Sequence, residues 1–113
     1  MTESARAPDP RLRRRLVEAI TELAADADDQ IAWMAAMKVD ADELALQLAD
    51  IWPAARPLVD PEVAAVIDAI HGLFGSMSGP TNSVLWDDNA VRSGEGWARA
   101  RTLARAALVG LST

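Results

Sequence analysis

Apolar residues recur every three or four positions along most of the chain, which is the period of an α-helix with one buried face. The longest run follows Asp9-Pro10, a pair typical of a helix start, and no glycine or proline interrupts residues 11–52. We therefore expect a first helix that either runs from residue 10 to about 38 or bends at residues 26–29, where aspartates cluster. Its predicted apolar stripe is Leu12, Leu16, Ile20, Leu23, Ala27, Ile31, Met34 and Met37.

A second helix is predicted after Val39. Asp40 and Glu43 have the spacing of a capping box, with the aspartate in the serine role, and Pro53 is expected to end this helix. Asp60-Pro61 then predicts the start of a third helix. These boundaries leave a short connection between the second and third helices.

The third helix is expected to weaken at its glycines and to stop at Gly79-Pro80. We expect residues 79–94 to form the longest irregular segment, with Trp86 anchoring it to the core. A fourth helix is predicted from Ser93 or Gly94 onward, since apolar spacing returns there.

These segments predict an all-α fold, a small antiparallel four-helix bundle whose first helix is long or bent. No segment alternates apolar and polar residues long enough to indicate a strand. With 113 residues, the chain is too short for two independent cores. We expect residues 1–8 to form a flexible N-terminal tail and residues 9–113 a single helical domain.

Composition excludes several kinds of enzyme. The chain has no cysteine and one histidine, which removes thiolate nucleophiles, zinc–thiolate sites and histidine clusters. The segment Gly75–Gly79 resembles a nucleophile elbow, but Met77 stands where the serine is needed, so a helix end is favoured. Asp68 and His71 supply only one half of a paired carboxylate–histidine metal motif. We therefore predict a protein that is not an enzyme and uses no metal or cofactor.

One enzyme hypothesis remains open, an acid–base site under the 79–94 segment. A pocket under the 79–94 segment, with Asp68, His71, Asp87 or Asp88 as acid and base, would suit proton transfer if two of these groups met.

Charge is the strongest functional signal in the sequence. The chain carries 11 Lys+Arg against 17 Asp+Glu, a net charge of −6. Residues 18–68 hold twelve acidic residues against Lys38 and Arg56. Such a field attracts a basic protein and repels nucleic acid, although a merely solvated surface has the same composition. The predicted partner-binding residues are Asp26, Asp28, Asp29, Asp40, Asp42, Glu43, Trp86, Asp87 and Asp88.

The last third of the chain resembles a known group of proteins. Leu85-Trp86-Asp87-Asp88-Asn89-Ala90-Val91, Gly96-Trp97-Ala98-Arg99-Ala100-Arg101 and Leu103-Ala104-Arg105 are similar to the tail of small actinobacterial helical proteins, which resemble colicin-D-type immunity proteins. The resemblance implies an acidic bundle that plugs the basic active site of a nuclease toxin without a cofactor. It supplies no contact residue, so the acidic positions above rest on charge.

Two functions therefore remain as expectations. The first is an acidic protein-binding module, an immunity or antitoxin-like inhibitor that caps the active site of a basic nuclease toxin. The alternative is a helical scaffold or homodimer joined through an apolar face. Because no stretch approaches the roughly 20 apolar residues of a membrane span, and no signal peptide is visible, a cytoplasmic location is expected.

Overall fold

Helices account for nearly all of the chain that the structure describes. The computed structural model describes residues 10–112 and holds there six α-helices: α1 Pro10–Ala24, α2 Ala27–Met37, α3 Asp42–Ala55, α4 Pro61–Ser76, α5 Asp88–Ser93 and α6 Glu95–Leu111. Short 3-10 segments cover Arg56–Leu58 and Pro80–Trp86. The all-α fold class is confirmed, whereas the division into four helices is not. The predicted tail at 1–8 and the cap at Asp9 lie outside the described residues.

The bent form of the predicted first helix is the correct one. α1 ends at Ala24, and α2 begins at Ala27 after a two-residue break. Side chains from elsewhere satisfy the carbonyls at the end of α1: Nε2 of Gln30 donates to the carbonyls of Glu22 and Leu23, both at 3.1 Å. Nε of Arg105 donates to the carbonyl of Ala24 at 2.8 Å. The break is thus stabilised by tertiary hydrogen bonds to carbonyls in the last turn of α1.

Two predictions about α3 are wrong. The capping box does not form, because Ala41 is the N-cap residue and no side chain caps the helix. Pro53 does not end the helix either; it lies inside α3, which continues to Ala55. Pro53 is exposed, so its ring lies on the solvent side of the helix.

The segment at 79–94 is ordered rather than irregular. Its first half is the 3-10 segment Pro80–Trp86, and its second half contains α5. Nε1 of Trp86 donates to the carbonyl of Met77 at 2.8 Å, so the predicted anchoring role of this tryptophan is confirmed. Asp87 caps α5, since its Oδ1 accepts a 2.7 Å hydrogen bond from the amide of Ala90.

The core is built on α1 and α6. α1 packs mainly on α3 and α6, and α4 packs mainly on α6, whereas α3 and α4 meet only sparsely. At Gly110, an added Cβ would lie 2.5 Å from Cγ2 of Val63, so this glycine permits the close approach of α6 to α4. One residue of the predicted apolar stripe, Met37, is instead 57% exposed, whereas the polar Gln30 is buried.

Candidate functional site

An open cleft lies between α3 and α4, where these helices diverge. It has a volume of about 580 Å³ and mostly apolar walls. One end is closed near the α3–α4 connection, where Nε1 of Trp52 donates to Oδ1 of Asp68 at 2.8 Å. Nη2 of Arg56 donates to Oδ2 of the same carboxylate at 2.7 Å. Beyond this closure the helices separate, and we call the space the α3–α4 cleft. Its lining residues are Asp40, Asp42, Ala45, Leu46, Ala49, His71, Phe74, Gly75, Ser78, Gly79, Ser83 and Trp86.

An aromatic cluster fixes the wall of the α3–α4 cleft that faces α3. The ring of Phe74 lies 5.7 Å from Trp86 and 5.2 Å from Trp97, and the two tryptophans meet edge to face at 5.6 Å. Nε1 of Trp97 donates to the carbonyl of Leu85 at 2.9 Å. Since these hydrogen bonds hold the 3-10 segment against α4 and α6, the cleft is preformed rather than created by a ligand.

A second depression lies on the other side of α3, against α1. We call it the acidic groove; its volume is about 330 Å³, and its lining residues are Arg15, Glu18, Ala19, Glu22, Glu43, Gln47, Asp50 and Ile51. Four carboxylates thus face one arginine. Among residues 10–112, none of the four carboxylates takes part in an ion pair. The groove therefore keeps a negative charge that the rest of the described chain does not neutralise.

The environment of Glu22 in the acidic groove disfavours a negative charge on its carboxylate. Its Oε1 is buried and has no hydrogen-bond partner among the described residues. Burial raises the pKa of Glu22, and repulsion from Glu18 adds to this rise, while a hydrogen bond from Trp33 offsets part of it. Both causes of the rise disfavour the ionised carboxylate, so a cation placed in the groove would relieve them.

The nine predicted partner-binding residues are divided between different surfaces. Asp40, Asp42 and Trp86 line the α3–α4 cleft, and Glu43 lines the acidic groove. α3 forms the ridge between the two depressions. Asp28, Asp29 and Asp88 line neither depression.

Three of the predicted aspartates, Asp26, Asp28 and Asp87, contact other groups of the chain at the start of α2 and α5. Nη2 of Arg105 donates to Oδ1 of Asp26 at 2.9 Å. Nε of Arg92 lies 3.8 Å from Oδ1 of Asp28, a contact between largely exposed groups. Asp87 is used as the cap of α5. Part of the acidic field predicted from the sequence is therefore neutralised by arginines of the C-terminal third.

Charge counting along the sequence missed three residues of the acidic groove, Glu18, Glu22 and Asp50. A signal was present: Glu18 and Glu22 are four residues apart, and Glu43 and Asp50 seven apart, so each pair shares one helix face. Their meeting across α1 and α3 is a property of the packing. The cleft lies beside the 79–94 segment, where the sequence had left a pocket with His71 open, but its α3 wall at Ala45 and Ala49 was not predicted.

Of the four acid–base candidates, His71 lines the α3–α4 cleft beside the 79–94 segment, whereas Asp68, Asp87 and Asp88 do not. Asp68 is engaged by Arg56 and Trp52, and the guanidinium of Arg56 followed by the indole of Trp52 lowers the pKa of Asp68. No group of three metal-ligating side chains comes together among those residues. The hydroxyls of Ser76 and Ser78 donate to carbonyls of α4, at Leu73 and Phe74, which confirms that Gly75–Gly79 forms a helix end.

No helix between residues 10 and 112 is both long enough and apolar enough to cross a bilayer. The chain matches no protein-family model, and neither the curated proteins nor the solved structures contain a protein significantly similar to it.

Proposed function

We propose that the protein is an acidic binding module that takes up basic side chains of a protein partner in the groove between α1 and α3. The observation that carries the proposal is the buried, unpartnered Oε1 of Glu22 among three further carboxylates. A lysine or arginine entering the groove would gain attraction from several carboxylates and would lower the cost of ionising Glu22.

Four arginines of the described chain already bind other groups, and Arg15 is the one arginine that lines the groove. Arg56 binds Asp68, Arg105 binds Asp26 and the end of α1, and Arg101 binds Gln30 and the carbonyl of Val91. Nη2 of Arg13 donates to the carbonyl of Leu111. Because these four cations are engaged elsewhere and Arg15 faces four carboxylates, the acidic groove keeps a net negative charge, which raises the encounter rate with a basic protein.

The specific form of the proposal is an immunity or antitoxin-like inhibitor of a basic nuclease toxin, as the resemblance of the C-terminal third implies. A nuclease active site is lined with lysine and arginine because its substrate is a polyanion. In this proposal, α1, α3, α4 and α6 form the four long helices of the predicted bundle, and the α1–α3 face caps the toxin.

The test begins with a partner captured by crosslinking in lysate of the source cell at low salt. The captured protein is then produced separately, and its nuclease activity is measured with and without this chain. The Glu18→Lys/Asp50→Lys variant is expected to lose inhibition and about a hundredfold in affinity, if each lost contact contributes at least about 1.5 kcal/mol.

A matched control keeps the change in net charge constant. Glu62→Lys/Glu95→Lys reverses two exposed carboxylates that are not among the predicted partner-binding residues, lie outside both depressions and take part in no ion pair within residues 10–112. This control is expected to retain inhibition. Equal losses in the two variants would show that only overall charge matters, and a captured partner without nuclease activity would remove the inhibitor role.

A further inference from the structure

We propose that the α3–α4 cleft is a binding site for a small organic cation with an aromatic or other apolar body. The site is independent of the acidic groove, since the two depressions share no lining residue and lie on opposite sides of α3. Its volume of about 580 Å³ suits a drug-sized molecule, because pockets for such ligands span roughly 300–1,000 Å³.

Small residues leave space in the cleft where α3 and α4 face each other. Ala45 and Ala49 of α3 lie opposite the C-terminal part of α4, which contributes Gly75. A Cβ added at Gly75 would meet nothing within 4 Å, so this glycine borders open space rather than a packed neighbour. The space is therefore available to a ligand without displacing any side chain.

Charge selects the kind of ligand. Asp40, Asp42 and His71 are the ionisable residues among the lining, and the described part of the chain adds no lysine or arginine to it. Neither aspartate takes part in an ion pair with any residue from 10 to 112. The cleft thus combines an apolar floor with two uncompensated carboxylates, the complement of an apolar molecule that carries one positive charge.

The aromatic side chains favour the same ligand. The indole N–H of Trp86 is already used by the carbonyl of Met77, so this residue offers the cleft its ring rather than a hydrogen-bond donor. A cation over the face of an aromatic ring is attracted by the negative charge density of that face, and the ring of Phe74 adds apolar contact. The rings cannot pair with an anionic ligand in this way, and the aspartates would repel one.

The experiment uses three probes of the same shape and different charge: 2-naphthylmethylamine, the neutral 2-naphthylmethanol and the anionic 2-naphthoate. Calorimetric titration of the whole chain is expected to show the amine binding at least about tenfold more tightly than the alcohol, with no binding of the naphthoate. Added salt should weaken the binding of the amine and leave the affinity for the alcohol unchanged.

Two pairs of variants locate the site. Gly75→Leu fills the cleft and should abolish binding, while Gly72→Leu changes a glycine of the same helix whose Cβ is also unobstructed and should bind normally. Asp40→Asn/Asp42→Asn should lose about five- to tenfold in affinity for the amine and should bind the alcohol as the wild type does. Glu43→Gln/Asp50→Asn removes the same charge on the groove side of α3 and should change binding less than about twofold.

Thermal unfolding by circular dichroism checks that each variant is folded. Equal affinity for the three probes, or unchanged binding by Gly75→Leu, would overturn the proposal, as would the absence of binding to the wild-type chain at millimolar amine.

Discussion

Nη1 of Arg101 donates a hydrogen bond of 2.9 Å to Oε1 of Gln30, and this contact joins residues 71 positions apart in sequence. The same guanidinium nitrogen donates to the carbonyl of Val91 at 3.0 Å, while the amide nitrogen of Gln30 caps α1. Burial lowers the pKa of Arg101, and the nearby Arg105 adds to this decrease. One buried glutamine, together with Arg101, thus connects α1, α2, α5 and α6 through four side-chain hydrogen bonds.

Replacing Gln30 by leucine is expected to destabilise the fold by about 1–3 kcal/mol, since two carbonyls of α1 lose a donor and the guanidinium of Arg101 loses one of its two acceptors in a mostly buried site. Arg101→Met should cost a similar amount, and the double variant less than the sum, because the two residues act on the same hydrogen bonds. Urea unfolding followed by circular dichroism measures these values. Gln47→Leu, at a glutamine on α3, serves as the control, with an expected change below about 0.5 kcal/mol.

The hydrogen bonds of Gln30 and Arg101 also show which structural features could not be predicted from the sequence. Apolar spacing located most helix positions, because burial of one face is a local property of the sequence. Gln30 was outside the predicted stripe, yet it is 1% exposed, whereas Met37 within that stripe is 57% exposed. The break at residues 25–26 depends on side chains of α2 and α6, and no local pattern encodes those partners.

The acidic groove and the 79–94 segment also depend on contacts between distant residues, which the sequence does not show. Negative charge between residues 18 and 68 was apparent from counting, but counting did not show that Arg105 neutralises Asp26. It also did not show that Glu18 and Asp50 would border one groove. The 79–94 segment was expected to be irregular because its glycine and proline indicate a turn, while its order comes from tryptophan hydrogen bonds over distances of 9 and 12 residues.

Alanine substitutions at two glycines are expected to act in opposite directions. Gly72→Ala should stabilise the protein by about 0.5–1 kcal/mol, because its helix gains a better former and the added Cβ meets nothing. Gly110→Ala should destabilise it by about 1–3 kcal/mol, because the Cβ would lie 2.5 Å from Cγ2 of the stiff, β-branched Val63. Urea midpoints compare the two. If Gly110→Ala were as stable as the wild type, the close contact of α4 with α6 would be wrong.

Asp68 should contribute stability at neutral pH that disappears in acid. Its pKa is lowered in the folded state by Arg56 and then by Trp52, so the folded protein releases this proton more readily than the unfolded chain. The stability difference between wild type and Asp68→Asn is expected to be present above about pH 4 and to shrink as the pH falls through the folded-state pKa. Asp60→Asn, at an aspartate that caps no helix with its side chain, is the control. If the stability difference between wild type and Asp68→Asn stayed constant down to pH 2, the lowered pKa of Asp68 would be contradicted.

Glu22 should show the opposite pH dependence. Burial, and then Glu18, raises the pKa of Glu22, so the folded state binds this proton more tightly than the unfolded chain does. The associated stability is complete below the unfolded-state pKa and is lost as the pH rises through the folded-state pKa. Glu22→Gln is therefore expected to match the wild type at about pH 3 and to become the more stable protein above about pH 5.

Thermal unfolding of wild type and Glu22→Gln across that pH range measures the crossover, and Glu62→Gln, an exposed change in the first turn of α4, is the control. A basic partner in the groove would stabilise ionised Glu22, so binding should release protons near the folded-state pKa. If Glu22→Gln were less stable than the wild type at pH 7, the carboxylate would already have a favourable partner. The acidic groove would then lack the unsatisfied charge on which the proposed binding depends.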